Sequence, residues 1–131
     1  MSRFVQVDRE TAYLLPPSVQ EWLAKDHLAR YVVDVVEALD LSALVRRYAG
    51  RGSDAHHPGT LLALLIYGYA TGVHHSRAIE RASYDSVAFR FVAGNTHPDH
   101  DTIATFRRRF GPEIKALFVQ VLQIARANGV L

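Results

Sequence analysis

Apolar residues recur along this chain at spacings of three and four, and that period predicts helices almost throughout. Val7 to Leu15 is an irregular lead-in, after which Leu15-Pro16-Pro17-Ser18 opens a short helical turn through Gln20 and Trp22. From His27 to Leu39, the residues Leu28, Tyr31, Val32, Val35, Val36 and Leu39 form one stripe, with Asp26 the expected N-cap. Asp40 or Ser42 caps the next helix, which ends near Ala49. Gly50 to His57 reads as a loop, and Pro58 stands in the first turn of a helix, where its missing N–H is harmless. That helix, through about Ala70, is apolar nearly all round: Leu61, Leu62, Ala63, Leu64, Leu65, Ile66 and Tyr67. Such a helix belongs at the centre of a domain.

Beyond Thr71-Gly72, Ser76 is the expected cap of a helix over Arg77–Ser83. Asp85 or Ser86 is the expected cap of another over Val87–Ala93, although Val87 to Val92 also suits a short strand by composition. Asp101 is the expected cap of an arginine-bearing helix that Gly111-Pro112 stops, and a last amphipathic helix covers Glu113 to Asn128, with Val119, Leu122 and Arg126 on one side. The expected fold class is therefore all-α. It is one compact domain over residues 1–131 with about seven or eight short helices. Its C-terminal half is helix-turn-helix-like, formed by Ser76–Ser83, a Tyr84-Asp85 turn and Val87–Ala93.

Composition agrees with a globular chain: 49% of residues are hydrophobic and 21% charged. The absence of cysteine excludes disulfides and thiolate metal sites and fits a reducing compartment. The first eight residues lack the apolar core of a secretory signal, and the longest apolar run, Leu61 to Ala70, is about half of what a bilayer span needs. A soluble, cytoplasmic protein without a membrane partner is expected. The net charge of +2 is uneven, −1 over residues 1–75 and +3 over residues 76–131, and thirteen of the fifteen bases are arginine. The planar guanidinium suits phosphate and base edges, although arginine-rich usage also follows from a GC-rich genome.

The charge concentrates in the stretch from His97 to Phe110. With Ile103 at zero on a wheel of roughly 100° per residue, Phe106 and Phe110 fall beside it, and Thr102, Thr105, Arg108 and Arg109 fall on the far side. Those four are the candidate DNA contacts. Arg107 lies at the edge of the apolar stripe and is expected half-buried, its stem on the core and its guanidinium on a carboxylate. Arg77 and Arg81, one turn apart, either add a second phosphate row or pair with Glu80 and Asp85. His97, Asp99, His100 and Asp101 carry metal-ligating atoms, with His56-His57 and His74-His75 elsewhere. Nothing in their spacing requires convergence, however, and there is no H-E-x-x-H. The loop reads instead as a turn stiffened by Pro98, with Asp99 near the positive end of the helix dipole. No metal ligand, cofactor or catalytic residue is assigned: G-x-S-x-G and phosphate-cradling glycine loops are missing, and Glu21, Glu37, Glu80 and Glu113 are scattered.

Several segments together resemble a family. Leu14-Leu15-Pro16-Pro17-Ser18, Asp26-His27-Leu28-Ala29-Arg30 and His57-Pro58 followed by Leu61 to Gly72 are similar to the InsH-type N-terminal domain of bacterial insertion-sequence transposases of the DDE class. So are Ser76-Arg77-Ala78-Ile79-Glu80, Asp85 to Arg90, Asp99 to Ile103 and Phe106-Arg107-Arg108. The resemblance spans about Val5 to Phe110. It implies a helical domain that binds the terminal inverted repeats of the element and helps assemble the transposition complex. It also implies a following RNase H-like domain, whose Asp-Asp-Glu carboxylates hold two divalent metals for strand cleavage and transfer. In such relatives the first catalytic strand begins about where Gly129-Val130-Leu131 stands, so the expectation is a non-catalytic N-terminal domain alone, with divalent metal needed only in the catalytic domain. The expected partners are DNA, the catalytic domain of the same transposase and a further copy of the chain. The modest net charge also admits an interaction or dimerisation module with little affinity for DNA.

Overall fold

The centre of the structure is the helix that is apolar on every side. In the computed structural model, which describes residues 4–7, 9, 23–48 and 56–131, the described elements in chain order are α1 (Leu28–Ala38), α2 (Ser42–Tyr48), α3 (Pro58–Thr71), α4 (Ser76–Asp85), α5 (Val87–Val92), α6 (His100–Arg109) and α7 (Gly111–Ala127). All are helices, and no strand occurs among the described residues. Every residue from Pro58 to Gly68 of α3 is buried, because α1, α2, α4 and α5 pack around it. Most of the expected lead-in (Asp8 and Glu10 to Leu15), the turn through Gln20 and Trp22, and the loop from Gly50 to Ala55 lie outside the described residues.

Val87 to Val92 is helical, not extended. Ser86 Oγ accepts from the Phe89 N–H at 3.2 Å, and Phe89, Phe91 and Val92 turn inward at helical spacing. Ser86 is one of the two expected caps, whereas the caps of α1 and α4 differ from expectation. Histidine rather than aspartate precedes α1: His27 is extended, and its Nδ1 accepts from the Ala29 N–H at 3.0 Å, while Asp26 stays exposed. His57 repeats this arrangement at α3, accepting from the Gly59 N–H at 2.9 Å, with Pro58 in the first turn as expected. Ser76 lies inside α4, whose N-cap position is His75. The α1 stripe is rotated toward Ala29 and Val33, both buried, and Leu28 is left partly exposed. Gly111 and Pro112 begin α7 as well as following α6, so the fully buried Phe110 is the corner residue of both helices. The buried side of α7 is Ile114, Leu117, Val121 and Ala125.

Two arginines serve the fold. Arg9 donates from Nε to the Phe91 carbonyl at 3.2 Å, which also accepts from the Gly94 N–H, and from Nη2 to the Val92 carbonyl at 2.9 Å, at the end of α5. Arg30 donates to the Leu23 and Ala24 carbonyls and lies over the Phe91 ring.

The α3–α4 corner is the tightest backbone approach. The Val73 N–H donates to the Gly68 carbonyl at 2.8 Å, and Gly72, at φ +80°, makes the left-handed turn between them. A Cβ on Gly68 would stand 2.5 Å from the Val73 carbonyl oxygen. Gly68→Ala therefore lowers stability by about 1–3 kcal/mol, although alanine is the better helix former by about 1 kcal/mol. Urea denaturation checks this, and an unchanged or higher midpoint contradicts it.

Candidate nucleic-acid interface

Helix α6 is held on one side by packing and at its N-terminus by carboxylates. Ile103 and Phe106 are buried, and the Tyr48 ring of α2 lies 5.9 Å from Phe106 and 5.8 Å from Phe110, centroid to centroid. Asp99, not Asp101, is the N-cap: it follows the buried Pro98 in extended conformation, and its Oδ1 accepts from the Thr102 N–H at 2.8 Å. Asp101 lies exposed in the first turn. From α4, Glu80 Oε1 accepts from the His100 N–H at 2.8 Å and lies 2.7 Å from His100 Nδ1. The hydrogen bonds from His100, side chain first and then backbone, hold the Glu80 carboxyl below the ordinary carboxylate range. The Thr102 N–H does the same for Asp99. These carboxylates already occupy the helix terminus, so it is not a cradle for an external phosphate.

The C-terminal half of α6 faces solvent. Thr105, Arg108 and Arg109 are exposed and Thr102 is half-buried, all on the side away from Ile103. Arg108 reaches Thr105 Oγ1 only at 3.5 Å, and the Arg109 guanidinium lies 5.1 Å from the Phe110 ring centroid. Arg107 is exposed as well, contrary to expectation, and has no ion pair among the described residues. The α3–α4 corner leaves an open crevice of about 240 Å³ beside it, lined by Leu65, Tyr69, Val73, His74, Ile114 and Phe118, so its charged head stays in water.

Arg77 and Arg81 are exposed on the side of α4 opposite the buried Ile79 and Ser83. Neither forms an ion pair among the described residues, because Glu80 turns to His100. Helix α4 packs against α6, on the side of His100, whereas α2 approaches the side of Arg109 through Tyr48 and Arg47. The structure thus gathers Thr102, Thr105, Arg108 and Arg109 on one helix face and places Arg77 and Arg81 on a neighbouring helix. The α2 pair Arg46 and Arg47 does not stand out in the sequence, where its only signal is two adjacent bases closing a short helix.

Four of the seven histidines have local hydrogen-bond partners, whereas the buried His56 Nδ1 has none among the described residues. Besides the caps at His27 and His57 and the Glu80 partner His100, the His97 ring stacks on Tyr84 with centroids 3.9 Å apart and planes at 4°, and its Nδ1 lies 3.2 Å from Ser83 Oγ. Burial holds the imidazoles of His56, His57 and His97 below their ordinary value. Among the described residues no group of three or more His, Cys, Asp or Glu can hold a metal ion.

With this geometry in view, comparison with protein families gives a match to the transposase domain family (DUF772) over residues 17–109. The chain belongs to that family. Comparison with curated proteins and with solved structures gives no match. The match agrees with the resemblance seen in the sequence. In this transposase domain it ends on Arg109, the last residue of α6, so α7 lies beyond it. No helix of the described residues is long and apolar enough to cross a membrane.

Two outcomes follow for this domain. Asp99→Ala removes the cap of α6 and costs about 1 kcal/mol, whereas Asp101→Ala loses the dipole contribution, about 0.3–1 kcal/mol, and an exposed contact with His100 Nε2 at 3.6 Å that adds little. Paired thermal melts rank the two, and a larger loss at Asp101 contradicts the capping geometry. For pH, the folded state favours neutral His56, His57 and His97, so the unfolded chain binds more protons below the ordinary imidazole value of 6.5. The stability these groups contribute is full above that pH and is lost as pH falls through their depressed values. Protonation of His57 also removes its Nδ1 as the acceptor at α3. The melting temperature drops between pH 7.5 and 5, and a flat profile there refutes the assignment.

Proposed function

We propose that this transposase domain binds DNA, recognising the terminal inverted repeats of an insertion sequence through the outer face of α6. The observation that carries this reading is the division of α6. Its N-terminus is satisfied by Glu80 and Asp99, while Arg108 and Arg109, flanked by Thr102 and Thr105, stand on its outer face without an ion pair among the described residues. Membership of the transposase domain family supports it. The expected Tyr84-Asp85 turn is helical, because α4 runs through Asp85 and only Ser86 separates it from α5; α5 has six residues and none is exposed, so α6 is the helix offered to a groove. Arg77 and Arg81 add backbone contacts from α4.

The domain itself supplies no catalytic carboxylate and needs no cofactor in this reading. Glu80 and Asp99 are committed to α6, and Glu113 pairs with Arg47. The divalent-metal chemistry of strand transfer then belongs to a catalytic domain of the same transposase.

The test is anisotropy titration of a duplex carrying the element's terminal repeat over a range of salt. Three or four phosphate contacts give a log–log slope of about −3. The Arg108→Ala/Arg109→Ala double variant weakens binding and flattens the slope by about 2. Unchanged affinity in that variant shows that another face is used.

A second reading, an interaction or dimerisation module, is favoured by α7, where Val119 and Leu122 are 47% and 43% exposed. Light scattering with and without the repeat duplex separates the two. A dimer that duplex does not shift at low salt supports the second.

A further inference from the structure

The end of α2 carries a base whose charge is already taken. Arg47 forms an ion pair with Glu113, in the first turn of α7. Its guanidinium lies 5.1 Å from the Phe110 ring centroid, the same distance as that of Arg109 from the same ring. The two cations therefore share one fully buried ring and are at most about 10 Å apart, on the order of one Debye length at 0.1 M salt. Arg46 precedes Arg47 in the last turn of α2 and is exposed.

This places Arg47 on the Arg109 flank of α6, with Arg46 beside it in α2 and within electrostatic range of Asp40, so the basic surface does not end at α6. The Arg47–Glu113 pair is partly open to water, with the side chains 54% and 31% exposed. A pair so placed is weakly held and yields to a stronger acceptor. A phosphodiester offers the guanidinium the same two-oxygen geometry as a carboxylate. Bringing a phosphate to Arg109 therefore brings one close to Arg47, where Glu113 stands in its place.

We propose that Arg46 and Arg47 form a second phosphate-binding point on the nucleic-acid face, and that Glu113 occupies Arg47 until a DNA phosphate displaces it. This inference rests on the DNA-binding reading of α6 and extends the contact surface to α2. Glu113 acts as an internal competitor, lowering affinity for any duplex regardless of its sequence. The competition is relieved without movement of the backbone, because only the Arg47 side chain changes partner.

The experiment is anisotropy titration of the 131-residue chain with a repeat duplex and with a scrambled duplex, between about 50 and 200 mM salt, with thermal melts of every variant. Glu113→Gln removes the competing charge while keeping the side chain's size. It binds both duplexes severalfold more tightly with the log–log salt slope of the parent, because the Arg47 contact is made in both complexes and only the cost of displacing Glu113 is gone. Arg46→Ala/Arg47→Ala weakens both and flattens the slope by up to about 1.8, and Arg47→Lys retains the slope of the parent. Combining Glu113→Gln with Arg47→Ala cancels the gain, which separates release of Arg47 from a general loss of negative charge.

The outcomes are distinguishable. If Arg108→Ala/Arg109→Ala loses binding while the α2 and Glu113 variants bind like the parent, the α2 site is refuted and the α6 reading stands. If neither the parent nor Glu113→Gln binds duplex at the lowest salt, both are refuted. If Glu113→Gln tightens binding equally with and without Arg47, Glu113 is not the competitor of Arg47. Should Arg46→Ala/Arg47→Ala fail to fold, Glu113→Gln and Arg47→Lys still decide the matter.

Discussion

From Pro58 to Gly68, helix α3 has no side that meets water, and the rest of the structure answers that constraint. Eleven consecutive residues, Pro58 to Gly68, must be enclosed, and removing that much apolar surface from water is the main driving force for placing α1, α2, α4 and α5 around them. A helix buried on all sides leaves nowhere inside for polar groups except the backbone, whose bonds are closed within the helix. Charges and caps are pushed to the rim. The buried polar side chains Thr60, Ser83 and Thr96 are small, and the hydroxyls of Ser83 and Thr96 donate to nearby carbonyls.

Helices α6 and α7 join this body in a different manner. An aromatic layer, Tyr48 with Phe106 and Phe110, sits under α6, and the corner at Phe110 turns the chain from one helix into the next. The arginines divide accordingly. Arg9 and Arg30 are engaged by carbonyls of the fold, and Arg47 meets Glu113. Those on the outer faces of α4 and α6 remain in solvent. Exposed charge on this domain is thus what remains after packing has taken its share, and it collects on adjoining helices.

The periodicity is enough to find the helices, because each buries a stripe and burial sets the period. It points to the wrong caps where preference and conformation disagree. Aspartate is favoured at N-caps in general, yet the cap is whichever residue is extended just before the first turn. That residue is His27 at α1 and Asp99 at α6, leaving Asp26 and Asp101 without the role. A helical wheel misplaces Arg107 for a related reason: it gives the direction of a side chain but not the neighbour found there, and an open crevice lies beside it. The exposed positions of Thr105, Arg108 and Arg109 need only direction and are legible. The Glu80–His100 and Arg47–Glu113 contacts join residues distant in the chain, and nothing in a single sequence marks such partners.

Arg9 has a consequence for synthesis. Its two acceptors are the Phe91 and Val92 carbonyls, 82 and 83 residues further on. A chain made from its N-terminus exposes Arg9 long before those carbonyls exist, and closing so long a loop is among the slower events of folding. Arg9 can therefore engage only after α5 has left the ribosome and packed against α1 and α3.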